Sequence, residues 1–335
     1  MTAASVSASG SPSSPVRLGS LGVGRIVHRG LLPGVAGCPE VVLQAVASER
    51  PEAACATAAA AGCEAVEGYD ALLARDDIDA VYIPCRGDQH HRWVERAAAA
   101  GKHVLCEKPL GRNVAESEAM ANACRAAGVV LMEAFMWRHH PRSLRARELV
   151  RIGAIGTLRL VLVHFSFQID LDDWRLDPAQ GGGAIYDIGC YGIDAARYFT
   201  GEEPEAIDAA ARLHSTGVDL SSRIGLTFPS GAMANVSCSF ETPFACRCEL
   251  IGSAGAVVLD DFALPPDDGA ELILQPADGE PRIERSEAAN QYAGELSAFA
   301  ASIRDGSLVD PAENGLANAR VIEAACVAAG YDVRA

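Results

Sequence analysis

Gly101-Lys102-His103-Val104-Leu105-Cys106-Glu107-Lys108-Pro109-Leu110 is a short apolar run that ends abruptly in a charged pair and a proline. Its apolar part, Val104 to Cys106, is too short for a helix and reads as a buried strand, and Pro109 biases Lys108 toward an extended or turn conformation. Lys108 therefore stands at the C-terminal edge of a strand, where open α/β sheets bind their ligands. A lone lysine at a strand end is ordinarily just a solvated side chain. The segments around it give this one a different context.

Upstream, the apolar strand Val16–Leu21 runs into Gly22-Val23-Gly24-Arg25-Ile26-Val27, followed by helical spacing through Leu31 and Leu32. In such a strand, glycine turn and helix, Gly22 allows the tight turn and Gly24 the close approach of backbone to a pyrophosphate. The phosphate then sits at the positive end of the helix that starts with Arg25 and Ile26. The third motif position, usually Gly or Ala, is Val27. Val41–Ser48 is a nearly unbroken apolar strand, as expected where both faces of a parallel sheet are covered. Its end offers Ser48, Glu49 and Arg50 in succession. A carboxylate there accepts hydrogen bonds from a ribose, an arginine favours a 2′-phosphate, and both are present. A helix over 52–62, a strand Ala80–Ile83 ending at Pro84, a helix over 88–100, the Lys108 strand, a helix over 113–127 capped by Asn113 and a strand over 129–133 continue the alternation. The pattern predicts a doubly wound parallel sheet. His90 and His91 read as helix-terminus histidines, and no metal site is expected.

After residue 133 the texture changes. A helix over 142–151 leads to strands over 158–167, 205–214, 221–228, 232–240, 247–251, 257–259 and 272–275, a mostly antiparallel sheet, and helices over 292–305 and 313–328 end the chain. The expected organisation is a tail over 1–15, a dinucleotide-binding domain over 16–133, and a substrate-binding and dimerisation domain over 134–330. One helix interrupts the second domain over 181–194. On a regular helix its Asp187, Tyr191 and Asp194 share a face. Gly189 and Gly192 weaken that helix, and their expected use is to admit a close neighbour or ligand.

Composition limits the partners. The 335 residues carry a formal charge of −16, 49% hydrophobic residues and 11 cysteines. The charge disfavours nucleic acids and acidic membranes, while an anionic cofactor can still bind locally through backbone N–H groups. No run is long enough to span a membrane, and no secretory signal is evident at the start. Cysteines scattered through apolar segments suit buried, reduced thiols in a cytoplasmic protein.

Taken together, the glycine turn 22–26, the Glu107-Lys108-Pro109 segment, the stretch 132–141, the segment 181–194 and the turn 249–255 resemble the glucose-fructose oxidoreductase, inositol dehydrogenase and MocA family of nicotinamide-dependent dehydrogenases. Glu133-Ala134-Phe135-Met136-Trp137-Arg138 and Gly189-Cys190-Tyr191 look most like the branch with NADP-dependent D-xylose dehydrogenases and dihydrodiol dehydrogenases. The resemblance implies that Lys108 and Tyr191 meet at the nicotinamide, either with Tyr191 as base and the Lys108 ammonium lowering its pKa or with Lys108 holding the substrate oxygen directly. It further implies that Asp187 orients a sugar hydroxyl or Lys108, that Trp174 and Arg175 line the substrate pocket, and that Pro84, His90 and Glu107 join the cofactor contacts. The usual Asn in the loop 84–90 is missing. Branch resemblance tips the cofactor to NADP(H) over NAD(H), although Glu49 intervenes between Ser48 and Arg50. A sugar or polyol is the expected substrate, most of all an aldose. A dihydrodiol is the enzyme alternative, and a non-catalytic nucleotide-binding regulator the other. A homodimer or higher homo-oligomer is expected.

Overall fold

The computed structural model describes residues 14–306 and 310–331, so nearly all of the expected tail lies outside the described residues. β1 (Val16–Leu21), β2 (Val41–Ser48), β3 (Glu64–Glu67), β4 (Ala80–Ile83), β5 (His103–Glu107) and β6 (Leu131–Ala134) form one sheet in the order β3-β2-β1-β4-β5-β6. Every observed pairing in it is parallel. All four residues of β4 are buried, as its unbroken apolar sequence requires. Strand order reverses between β1 and β4, which opens a crevice at their C-terminal ends.

The second sheet comprises β7 (Leu158–Ser166), β8 (Ala206–Leu213), β9 (Asp219–Thr227), β10 (Met233–Ser239), β11 (Ala245–Gly252), β12 (Gly255–Asp260), β13 (Glu271–Pro276) and β14 (Arg282–Arg285). Its order is β14-β13-β12-β11-β7-β10-β9-β8, antiparallel except for β7 beside β10. β14 is absent from the sequence expectation because Arg282-Ile283-Glu284-Arg285, with one apolar residue, sits at the exposed sheet edge. Val161, Val163, Phe165, Val236 and Leu250 point inward and join one core with the helix Cys190–Thr200. Gly192 permits that packing, since a Cβ there would lie 2.4 Å from Val236 Cγ1. The close neighbour anticipated for this glycine is thus a strand.

The helix Gln291–Asp305 crosses back to the first domain. Its Leu296, Phe299 and Ala300 share a core with Val16, Leu18 and Val46, closing one face of the parallel sheet. The helix Ala312–Ala328 places Val321, Ile322 and Ala325 in the core of the second sheet. Among the described residues no helix is long and apolar enough to cross a membrane.

Candidate functional site

The crevice wall is built by the ends of β1, β2 and β4. Gly22 has φ +142°, and a Cβ there would come 3.0 Å from Pro84 Cγ, so glycine is needed for the turn to lie against the β4 loop. At Gly24 a Cβ would meet nothing within 4 Å. That open space, facing the start of the helix at Arg25, fits close approach of a dinucleotide pyrophosphate to the backbone. Arg25 is exposed, Ile26 packs half-buried against the second domain's core, and Pro84 is half-buried. At the end of β2, Ser48 is buried and its Oγ accepts the Arg50 N–H at 3.1 Å, leaving the side chains of Glu49 and Arg50 exposed.

β5 delivers Lys108 to the same edge, and the helical segment after residue 183 brings the second domain to meet it. That segment starts where buried Asp219 accepts the Ile185 N–H at 2.9 Å. Gly183, at φ +115°, makes room, since a Cβ would lie 2.6 Å from Asp219 Oδ1. Lys108 Nζ donates to Asp187 Oδ1 at 3.0 Å and to the Asp187 carbonyl at 2.7 Å. Arg175 Nε donates to Asp187 Oδ2 at 2.6 Å, while Arg175 also faces Asp173 at 3.2 Å. One carboxylate thus sits between two cations. Burial alone would push Asp187 up, but Lys108 and Arg175 outweigh it and hold the carboxyl at about 2. Burial likewise works against charge on Lys108, and Asp187 reverses it, so the amine lies above its ordinary value. The Arg175 guanidinium lies 4.7 Å from the Trp174 ring centroid and 5.6 Å from that of Phe167.

Lys108 and Tyr191 do come together, in an orientation that corrects one expectation. The ammonium lies over the ring, 4.8 Å from its centroid, rather than at the phenol oxygen. The hydroxyl donates instead to Met136 Sδ at 3.7 Å, and Phe135 and Phe165 pack edge-on to the ring. Burial, followed by the Glu107 charge, pushes the Tyr191 phenol well above its ordinary value; it is not lowered. The lysine's hydrogen bonds go to Asp187, so they do not stabilise a phenolate.

Three other residues singled out in the sequence are held as follows. Asp194, one turn beyond Tyr191 on the regular helix Cys190–Thr200, is drawn into the core by Trp137 and Arg138, while the π turn Ile185–Gly189 before that helix shifts only the phase of Asp187. It is fully buried, paired with Arg138 and bonded to Trp137 Nε1 at 2.9 Å. His90 is 1% exposed, with Nδ1 3.0 Å from Pro109 O and Nε2 2.9 Å from Cys85 O, so it ties the β4 loop to the Lys108 turn instead of facing a cofactor. Glu107 accepts the Tyr82 hydroxyl at 2.6 Å and the Lys108 N–H at 3.3 Å; burial outweighs these bonds and raises its carboxyl. Sequence reasoning missed Asp173, Met136 and Phe165 as wall residues. Asp173 had a local signal in its place beside Trp174 and Arg175, and Met136 in the motif 133–138.

A doubly wound sheet with a glycine turn at its switch point, facing a lysine, a tyrosine and a clamped carboxylate, defines a two-domain dinucleotide-binding protein. Residues 16–135 match the oxidoreductase family with the NAD-binding Rossmann fold, and residues 143–258 match the GFO/IDH/MocA C-terminal domain; the chain belongs to this family. It is 38% identical over 292 residues to D-xylose 1-dehydrogenase (NADP(+)) 2 of Haloferax volcanii, covering 86% of this chain and 89% of that one. It is also 38% identical over 301 residues to the dTDP-3,4-didehydro-2,6-dideoxy-alpha-D-glucose 3-reductase of Streptomyces violaceoruber, covering 86% and 85%. Among solved structures, the 3-ketoreductase KijD10 of Actinomadura kijaniata with NADP and TDP-benzene superposes with a TM-score of 0.87 at 33% identity, over 94% of this chain and 98% of that one.

Proposed function

We propose that the protein is an NADP(H)-dependent oxidoreductase acting on a free aldose at a CH–OH group, as an aldose 1-dehydrogenase of the D-xylose type. The observation that carries the reading is the convergence of Lys108, Asp187 and Tyr191 beside the dinucleotide crevice. Gly22, Gly24 and the backbone at Arg25 and Ile26 would hold the pyrophosphate, with Ser48, Glu49 and Arg50 at the adenosine ribose. When bound, the nicotinamide supplies the hydride acceptor or donor. Lys108 then holds the substrate oxygen and carries its proton: the ammonium donates in carbonyl reduction, and the neutral amine accepts in alcohol oxidation. Tyr191, kept as a neutral phenol, donates a second hydrogen bond to that oxygen. Asp187 aims Lys108 and favours its ammonium form, so the neutral amine that oxidation needs becomes more available as pH rises.

The preference for a free sugar over a nucleotide sugar follows from charge. The two cations of this wall, Lys108 and Arg175, each already face a carboxylate. The loop above them carries Asp170, Asp172, Asp173 and Asp177. A diphosphate would meet repulsion there, whereas neutral hydroxyls would find acceptors. NADP is favoured over NAD by the exposed Arg50 and by the relatives named for NADP. A dihydrodiol is the second reading, favoured by the aromatic wall of Phe165, Phe167 and Trp174. We place the protein in the cytoplasm on its eleven free thiols. The outer face of the second sheet, with Met233 52% exposed beside half-buried Leu160 and Leu162, is the surface assigned to a homodimer.

Initial rates of cofactor reduction with D-xylose, D-glucose, myo-inositol and a cyclic dihydrodiol, each with NADP and with NAD, test the reading. Turnover of an aldose with NADP is expected. No aldose turnover, with oxidation of the dihydrodiol instead, would sink it.

A further inference from the structure

The turn after Lys108 is fixed from three directions. His90 lies against the Pro109 and Leu110 carbonyls, and the Tyr186 hydroxyl donates to the Gly111 carbonyl. The third anchor is a buried acid. Glu133, on β6 next to β5, is 5% exposed, and its Oε1 accepts the Leu110 N–H at 2.7 Å. Its Oε2 is buried with no hydrogen-bond partner among the described residues. The helix Ala312–Ala328 closes over it: a Cβ on Gly315 would lie 3.1 Å from that oxygen and 2.9 Å from Leu110 Cδ2. A buried carboxyl with one bonded and one bare oxygen is costly in ionised form.

We propose that Glu133 is a positioning residue for the reaction: as an uncharged acceptor it anchors the Leu110 amide, fixes the turn that aims Lys108, and so governs turnover without touching substrate or cofactor. This rests on the proton-carrying role given to Lys108 above.

The surroundings specify the uncharged form. Asp194 and Arg197 face Glu133 from the helix Cys190–Thr200, and Arg138 from the turn Met136–His139 that follows β6. Cys106 on β5, with Tyr186 and Cys190 of the site helix, completes the polar neighbours, while the last helix presents Gly315. Burial first, and Asp194 next, push the carboxyl up to about 8, against the pull of the Leu110 amide and the two arginines. At neutral pH the acid form puts its proton on the bare Oε2 and its carbonyl oxygen on the Leu110 N–H. Ionisation at higher pH would set an anion beside Asp194 in a dry site and loosen the turn.

The test compares Glu133→Gln, Glu133→Leu and Lys108→Ala with wild type. It measures kcat across pH 6 to 9.5 and cofactor binding by nicotinamide fluorescence. Glu133→Leu should lower kcat about 10- to 100-fold, the scale of a misplaced reacting group, with cofactor affinity unchanged. Glu133→Gln, an uncharged acceptor at every pH, should keep wild-type kcat at neutral pH and exceed wild type increasingly above it. Wild-type kcat in Glu133→Leu would overturn the proposal. If that variant does not fold, Glu133→Gln decides alone: parallel profiles for Gln and Glu would overturn it as well. A dead Lys108→Ala beside an unimpaired Glu133→Leu places the failure here, whereas an active Lys108→Ala overturns both this inference and the reading it rests on.

Discussion

Replacing Asp187 with Asn removes the charge shared by Lys108 and Arg175 while keeping the shape. The side chain is 12% exposed, and its carboxyl falls from an ordinary 3.8 to about 2 in the folded protein. That change in proton affinity corresponds to about 2 kcal/mol of stability. A depressed carboxyl pKa contributes fully above about pH 4 and is lost as pH falls through about 2. Loss of the anion also leaves the buried Lys108 ammonium with neutral oxygen acceptors only, whereas Arg175 retains Asp173. Breaking one side of a buried pair costs about 3 to 5 kcal/mol, so Asp187→Asn should destabilise by about 2 to 4 kcal/mol near neutrality. The gap to wild type should narrow in acid. Without Asp187, burial dominates at Lys108 and lowers its pKa, so the alkaline rise in alcohol oxidation should begin at lower pH in the variant. Urea unfolding at pH 7 and pH 3, with pH-rate profiles for oxidation, reads both effects. An unchanged urea midpoint at pH 7 would refute the ion-pair reasoning. An unmoved oxidation profile would refute Lys108 as the titrating group.

Two further substitutions separate chemistry from packing. Tyr191→Phe deletes a hydroxyl whose one hydrogen bond among the described residues is a weak one to Met136 sulfur, so urea stability should change by less than about 1 kcal/mol. Its kcat should fall at least about tenfold, the lower range for a group assisting proton transfer; equal kcat values would remove Tyr191 from the chemistry. Gly24→Ala should leave thermal stability untouched, because the new Cβ meets open space, yet weaken dinucleotide binding measured by fluorescence titration. Gly192→Ala should do the reverse, costing about 1 to 3 kcal/mol by pressing a methyl into Val236. A loss of cofactor affinity confined to Gly192→Ala would contradict this assignment of the two glycines.

The local sequence determined a good deal. Val16–Leu21, Val41–Ser48 and Ala80–Ile83 are strands at the bounds their apolar runs suggest, since strands buried on both faces carry continuous hydrophobic sequence. The glycine turn and the Lys108 strand end were legible because residue type and spacing carry them, whereas the pairing of Lys108 with Tyr191 came from the family resemblance. Tertiary structure decided what spacing cannot carry. Arg138 and Trp137, from a turn far upstream in the chain, hold Asp194 in the core, although an α-helical period aligns it with Asp187 and Tyr191. Burial raised the Tyr191 phenol, although proximity to a lysine alone suggested the reverse. His90 became a tie between two loops because the carbonyls it faces come from Cys85 and Pro109, on different strand ends. The sequence determined which groups are present and which elements carry them. The direction of each hydrogen bond, and hence the charge each group holds, depends on neighbours brought from distant segments, and only the folded arrangement supplies those neighbours.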